Sequence, residues 1–317
     1  MYDTIVIGSG PAGITASIYA IRREMKILVI GKEMGGQVVW ASEIENYPGI
    51  QKIDNIEFIS RFKKHAESFG VEIKTAEIQR IEKKEDGTFK LFSDKEEFET
   101  KTIIIAMGLS PRRLAIPGEQ EFNGRGVSYC ANCDGPIYRD KAVAVVGGGN
   151  AALDAAEVLS KIASQVYLIH RRQEFRAFDT LVKQVEKREN IELILDSEIK
   201  EILGDKKVDK IKVLNNKTNE EKEIGVDSVF IEIGRIAHTD LMNDFVERNE
   251  KKEIIVDELC KTSCPGIFAA GDVTQGIFKQ ITIACGQGTV AALAAYQYLQ
   301  EKEGKDATPI LDRSIPK

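Results

Sequence analysis

One unit constrains this chain more than any other: a strand, a glycine-rich turn and a helix that occur in that order twice. A β-branched run over 3–7 stops at Gly8, the segment GSGPAG over 8–13 opens an apolar helix to about residue 21, and a second strand covers 26–30. From residue 141 the order recurs. A strand over 141–146 meets GGGNAA over 147–152, a helix runs to about 162, and a strand follows over 165–169. Glycines at Gly8, Gly10 and Gly13 permit a tight turn and close backbone approach, which leaves the helix N-terminus to a pyrophosphate. Two such units predict an α/β chain with two Rossmann-like (three-layer ββα) nucleotide-binding domains.

The remaining elements follow from pattern. Between the units lie a GGQ turn at 35–37, the loop ENYPG at 45–49, a helix over 53–69 closed by Gly70, and strands around 71–81 and 88–92 joined at Asp86-Gly87. A charged outer strand is expected near Glu97, then an apolar strand over 102–107 ending at Gly108. After the second unit come a helix over 179–189, a meander over 191–224 turning at Asn215-Asn216, and a strand over 228–233. The endings IIIAMG (103–108) and VFIEIG (229–234) match in pattern. Past Leu241, strands at 254–256 and 266–270 and a long helix over 281–299 are too little for a third domain. The tail is therefore expected to return and finish the first domain. That places a discontinuous first domain at 1–114 and 242–317 around an inserted second domain at 115–241.

At 317 residues with 43% hydrophobic content the chain can bury two cores. Its formal charge of −6 argues against general affinity for nucleic acid or anionic membrane. No apolar run approaches a membrane span, and no basic leader with a cleavage site precedes the first strand, so the cytoplasm is the expected compartment. Five cysteines make no disulfide scaffold.

Two of those cysteines stand together in SYCANCDGP (128–136): Cys130 and Cys133, with Asp134 directly beside them. At this spacing one thiolate can attack a disulfide while its neighbour resolves the mixed intermediate, and an adjacent carboxyl group can carry the proton. Half a zinc site has the same spacing, but zinc needs four ligands. Cys260 and Cys264 are far along the chain, and neither His170 nor His238 completes a ligand pattern, so no metal site is expected. Cys260, Cys264 and Cys285 read as buried small residues.

The two units differ where the ribose is read. The first lacks the acid that normally ends the second strand: Ile30 is followed by Gly31 and Lys32, with Glu33 slightly beyond. The second ends that strand in His170-Arg171-Arg172, with Arg176 a turn later. Guanidinium groups there suit the extra 2′-phosphate of NADP; a solvated basic turn or a nucleic-acid patch is the alternative.

In chain order, GSGPAG, GGQ, ENYPG, GVSYCANCDG, VVGGGNAALD, HRRQEFR, PGIFAAGDV and KQITIACGQG make the sequence resemble the low-molecular-weight thioredoxin reductases over nearly its whole length. The dithiol lies just before the first strand of the second nucleotide unit, unlike its place in glutathione-reductase-like enzymes. The resemblance implies FAD on Gly8, Gly10, Pro11, Ala12 and Gly13, around Gly31, Lys32 and Glu33, on Gly36, Gln37 and Asn46, and on Gly271, Asp272, Lys279, Gln280 and Ile281. It implies NADPH on Gly149, Asn150, Ala151 and Asp154, with His170, Arg171, Arg172 and Arg176 at the 2′-phosphate. Cys133 would face the flavin and Cys130 would attack the partner, with Asp134 handling the proton. The implied partner is thioredoxin or a thioredoxin/glutaredoxin-like protein, the implied assembly a homodimer, and the implied hinges lie near 113–118 and 234–241.

Three positions depart from that pattern: Met107 stands where Thr is usual, Lys279 replaces Arg, and Ala237-His238 replaces Pro-Asn. Lys279-Gln280 and the Gly-Pro after the dithiol also resemble the flavoprotein subunit of alkyl hydroperoxide reductase, which uses NADH. An NADH-linked reductase of a peroxiredoxin or glutaredoxin-like partner is thus a second reading. A redox- or metal-binding regulator without turnover and a dithiol oxidase are others.

Overall fold

The computed structural model describes residues 1–41 and 43–305. The last stretch of the expected first domain, 306–317, lies outside them. The chain divides into two compact units: 1–38 with 56–110 and 236 onward, and 39–55 with 111–235. The segment Val39–Asn55 falls with the second unit.

The first unit is built on a seven-stranded sheet in the order Glu72–Thr75, Ile27–Gly31, Tyr2–Ile7, Glu97–Ile105, Phe89–Phe92, Arg80–Lys83, with Ile267–Ala269 also paired to Glu97–Ile105. Glu97–Ile105 corrects two expectations at once: the charged stretch at Glu97 is neither outer nor a strand of its own. It is the first half of one nine-residue strand, which runs parallel to Tyr2–Ile7 over Thr100–Ile105. Its other edge is shared. Glu97–Thr100 pairs antiparallel with Phe89–Phe92, and Ile103–Ile105 pairs parallel with Ile267–Ala269. The late strand is thereby fixed at the sheet's centre, which is why the tail belongs to this unit.

Side chains alternate across the pleat. Ile103 and Ile105 join Ile5, Ile7, Leu28 and Ile30 in one apolar cluster, whereas Ile104 joins Val6, Val29 and Phe268 in another. The second cluster is roofed by helices Pro11–Ile21 and Ile281–Lys302. They meet through small residues: a Cβ added to Gly288 would lie 2.3 Å from the carbonyl oxygen of Ala12. Only glycine permits that approach.

Two further expectations change. The helix begins at Asn55, because Ile53–Asp54 pairs with Glu43–Ile44 as a short antiparallel ladder. Residues 254–256 form no strand; Ile254 makes only isolated bridges to Arg248 and Thr274.

The second unit carries a five-stranded parallel sheet in the order Val127–Ser128, Ser228–Ile231, Ala142–Val146, Gln165–Ile169, Ile191–Ile194. The expected meander therefore loses its first strand to this sheet. What remains is the antiparallel trio Ser197–Gly204, Val208–Asn215, Glu221–Gly225. Val143 and Val145 face the cluster under helix Asn150–Ser160, while Ala144 and Val146 face the one shared with the antiparallel trio. Among the described residues no helix is long and apolar enough to cross a membrane.

Candidate active site

The dithiol segment follows strand Val127–Ser128. Cys130 and Cys133 form a disulfide with their Cα atoms 5.3 Å apart. Cys130 keeps an extended backbone (φ −148°, ψ 98°), and the short helix Ala131–Asp134 starts after it, so the Cys130 carbonyl accepts the N–H groups of Cys133 and Asp134 at 3.2 and 3.1 Å. One helical turn brings positions 130 and 133 to the same side, as a three-residue spacing requires.

Asp134 is buried, and the Ser128 hydroxyl donates to its Oδ2 at 2.6 Å. The same hydroxyl oxygen accepts the Cys130 N–H at 3.1 Å. Ser128 thus links the carboxyl group to the backbone of a redox cysteine. Tyr129, between them, donates to Glu119 Oε1 at 2.8 Å, and Glu119 also accepts the N–H groups of Leu114 and Ala115. Burial first, then the Glu119 carboxylate, raises the Tyr129 phenol far above its usual range, so it stays protonated.

The second glycine turn lies at the carboxyl end of Ala142–Val146. Gly149 precedes helix Asn150–Ser160 and offers no side chain to cap it, which leaves the first-turn N–H groups to a ligand or solvent. A Cβ on Gly148 would lie 2.1 Å from the His170 ring, so that ring covers the turn. His170 stacks on Phe175, and burial, together with the charges of Arg171, Arg172 and Arg176, pushes its imidazole below the usual range. The Arg176 N–H donates to Gly148 O at 2.7 Å, and Asn150 Oδ1 accepts the Phe178 N–H. Arg171, Arg172 and Arg176 are exposed and make no ion pair with any described residue. Three guanidinium groups beside a helix N-terminus suit a phosphate. Ala151 and Asp154 are exposed on the first turns of that helix.

In the first unit, an added Cβ on Gly13 would lie 1.9 Å from Gly8 O, and one on Gly31 would lie 2.2 Å from Ser9 Oγ. Gly8 has φ +117°, a conformation glycine alone adopts readily. Helix Pro11–Ile21 also starts behind an uncapped glycine, Gly10, with Pro11 at its first position, where no N–H is needed. Gly271-Asp272 lies against this turn: a Cβ on Gly271 would lie 2.9 Å from Ala12 Cβ, and Gln37 Nε2 donates to Asp272 Oδ2 at 2.6 Å. The residues present fit a dinucleotide, with a backbone cradle for its phosphates and Asp272 and Gln37 beside it.

Lys279, Lys32, Glu33, Asn46, Gln280 and Ile281 are also among the residues expected to hold FAD. The Lys279 ammonium donates to the carbonyls of Asp272 and Thr274 at 2.9 and 2.6 Å and sits 3.2 Å from Glu253 Oε1, so it braces the Asp272 turn from within. Lys32 pairs with Glu77 at 2.6 Å. Glu33 contributes its carbonyl to Ser9 Oγ. Asn46 lies in the segment grouped with the second unit. Gln280 and Ile281 open the last helix.

Pattern reading gave no role to Ser128, Glu119 or Glu232. For Glu232 there was a signal: an acid in the otherwise apolar strand ending VFIEIG. Cys260 and Cys264 are buried and free, and burial pushes the Cys260 thiol up to about 11.

Known proteins bear on this geometry. The family model for pyridine nucleotide-disulphide oxidoreductase matches residues 2–288. Thioredoxin reductase of Treponema pallidum is 39% identical over 300 residues, covering 94% of this chain and 97% of that protein. NADH dehydrogenase of Bacillus subtilis is 36% identical over 299 residues, but the chain spans only 58% of its length. The crystal structure of thioredoxin reductase from Streptococcus pyogenes superposes with a TM-score of 0.90 at 39% identity, covering 95% of this chain and 99% of that one. With a paired dithiol, two glycine turns and a family match across nearly the whole sequence, the chain belongs to the pyridine nucleotide-disulphide oxidoreductases.

Proposed function

We propose that this oxidoreductase takes electrons from NADPH, passes them through FAD to the Cys130–Cys133 disulfide, and delivers them to the disulfide of a thioredoxin-like protein. The observation that carries the reading is the Cys130–Cys133 disulfide itself, with a buried carboxyl and a bridging hydroxyl within one turn of it. The reading assigns flavin to the discontinuous domain and NADPH to the inserted one.

Bound flavin supplies the step between a two-electron hydride donor and a disulfide. The chain's own residues do the rest. The turn from Gly8 to Gly13 presents N–H groups to the flavin nucleotide's phosphates, with Asp272 and Gln37 beside it. Gly149 and Asn150 do the same for the nicotinamide nucleotide, and Arg171, Arg172 and Arg176 hold its 2′-phosphate. Cys133 receives the electrons and Cys130 attacks the partner's disulfide. Asp134 gives or takes the proton, steadied by Ser128.

Anaerobic addition of NADPH to the purified protein tests this. The yellow absorbance should bleach and recover on adding oxidised thioredoxin, and Cys133→Ser should bleach without passing electrons on. A colourless protein, or transfer at the native rate in Cys133→Ser, would overturn it. The likeness to an NADH dehydrogenase favours a second reading with NADH as donor; a KM for NADH equal to that for NADPH would support it.

A further inference from the structure

The basic turn over 170–176 is anchored at both ends, and one anchor lies outside every sequence motif. At the far end the Arg176 N–H donates to Gly148 O at 2.7 Å, which ties the turn to the nucleotide-side glycines. The near end leaves strand Gln165–Ile169 beside strand Ile191–Ile194, with Ile169 opposite Ile194. There the chain rounds a corner at Asp196, whose φ of +48° is a left-handed conformation that aspartate adopts more readily than most residues. The corner holds the turn through backbone and side chain alike. The Ser197 N–H donates to His170 O at 3.0 Å, the Asp196 N–H donates to Arg172 O at 3.4 Å, and the Gln173 amide donates to Asp196 Oδ2.

Asp196 is buried, and its carboxylate has a second partner. Lys217, from the turn after strand Val208–Asn215, places its ammonium 2.7 Å from the same Oδ2, and the Asn216 N–H donates to Asp196 O at 2.7 Å. The ammonium and the Gln173 amide hold the carboxyl below its ordinary range, so it is ionised at neutral pH. A carboxylate this close to the basic turn is a natural partner for a guanidinium group. Lys217 takes that place, and Arg171, Arg172 and Arg176 make no ion pair with any described residue. The three are left to an anion from outside, on a turn whose middle residue, Gln173, is held.

We infer that Asp196 is a positioning residue for nucleotide choice: by fixing Gln173 it sets where Arg171, Arg172 and Arg176 stand around a 2′-phosphate. The inference rests on the reading of the turn as the NADP-specific subsite. NAD lacks that phosphate, so the corner should bear on one nucleotide and leave the other alone. That contrast separates positioning from a general part in holding the unit together.

Calorimetric titration of the purified, flavin-loaded protein with NADP⁺ and with NAD⁺ reads both affinities without turnover. Asp196→Gly keeps the left-handed corner and removes the carboxylate. It should weaken NADP⁺ about tenfold, near the size of one hydrogen bond to a charged group, and leave NAD⁺ unchanged. Equal weakening of both would mean a structural role only, and no weakening of either would also overturn the inference. Gln173 is exposed, so Gln173→Ala removes the other half of the contact without opening the core and leaves the Asp196–Lys217 pair in place. It too should weaken NADP⁺ alone. The double variant should bind NADP⁺ no worse than the weaker of the two singles, because both remove one contact. Losses that add would show two independent effects and refute the coupling. If the native protein binds NADP⁺ and NAD⁺ equally, the 2′-phosphate reading falls and takes the inference with it. If it favours NADP⁺ and Asp196→Gly does so as strongly, only the inference falls.

Discussion

Replacing Lys279 by Met should cost the protein about 3 kcal/mol. The ammonium and the Glu253 carboxylate lie 3.2 Å apart with side-chain exposures of 13% and 11%, so both charges are largely out of water. Removing one partner of such a pair typically costs about 3–5 kcal/mol, because the other charge is left without compensation. Two features set the size here. Glu253 retains a hydrogen bond from Asn249 Nδ2 at 2.7 Å, which favours the lower end of that range. The carbonyls of Asp272 and Thr274 lose their shared donor, which adds to the loss. At about 2–4 °C per kcal/mol for a chain of this size, the unfolding midpoint should fall by roughly 6–12 °C. Met keeps the stem's bulk, so the effect reports charge and hydrogen bonding. The double variant Lys279→Met/Glu253→Gln removes both charges and should recover at least half of the loss. A single-variant midpoint within about 1 °C of native, or a double variant as unstable as the two singles added, would refute the account.

Two further outcomes follow from packing and burial. Gly288→Ala places a methyl 2.3 Å from Ala12 O, so helices Pro11–Ile21 and Ile281–Lys302 must separate. Thermal unfolding should show a loss of about 1–3 kcal/mol, and an unchanged midpoint would contradict the close crossing. Glu232 binds its proton more tightly folded than unfolded, since burial raises the carboxyl from 4.5 to about 7. Its contribution to stability is complete below 4.5 and is lost as pH rises to about 7, by up to ~3 kcal/mol at about 1.4 kcal/mol per pH unit. Denaturant unfolding of Glu232→Gln against native from pH 4.5 to 8 should show that slope missing in the variant; parallel curves would rule it out.

What could be read from the sequence was whatever a local requirement imposes. Both glycine turns were legible because the backbone at Gly8, Gly13 and Gly147 admits no side chain. The dithiol was legible because sulfur exchange needs its two residues one turn apart. Glu97–Ile105 was misjudged because its two halves sit in different surroundings. Glu97, Glu99 and Lys101 alternate with buried Phe98, Thr100 and Thr102, while Ile103–Ile105 is covered on both faces, so one strand carried two patterns. Residues 254–256 have strand composition but find no ladder, and propensity does not supply a partner. Gln37 and Asp272 are 235 residues apart, and their hydrogen bond depends on the finished sheet. The brace from Lys279 to Glu253 was hidden for the same reason.

The way Ile267–Ala269 closes against Ile103–Ile105 sets an order of events during synthesis. A nascent chain leaving the ribosome carries most of its first sheet early, yet the strand that completes the centre emerges only after the whole intervening unit. Until then the half-strand Ile103–Ile105 has one bare edge, and the apolar surface awaiting helix Ile281–Lys302 is uncovered. The period of greatest exposure to misassembly is thus written into the connectivity. Chaperone capture should peak on ribosome-bound chains that end before this helix.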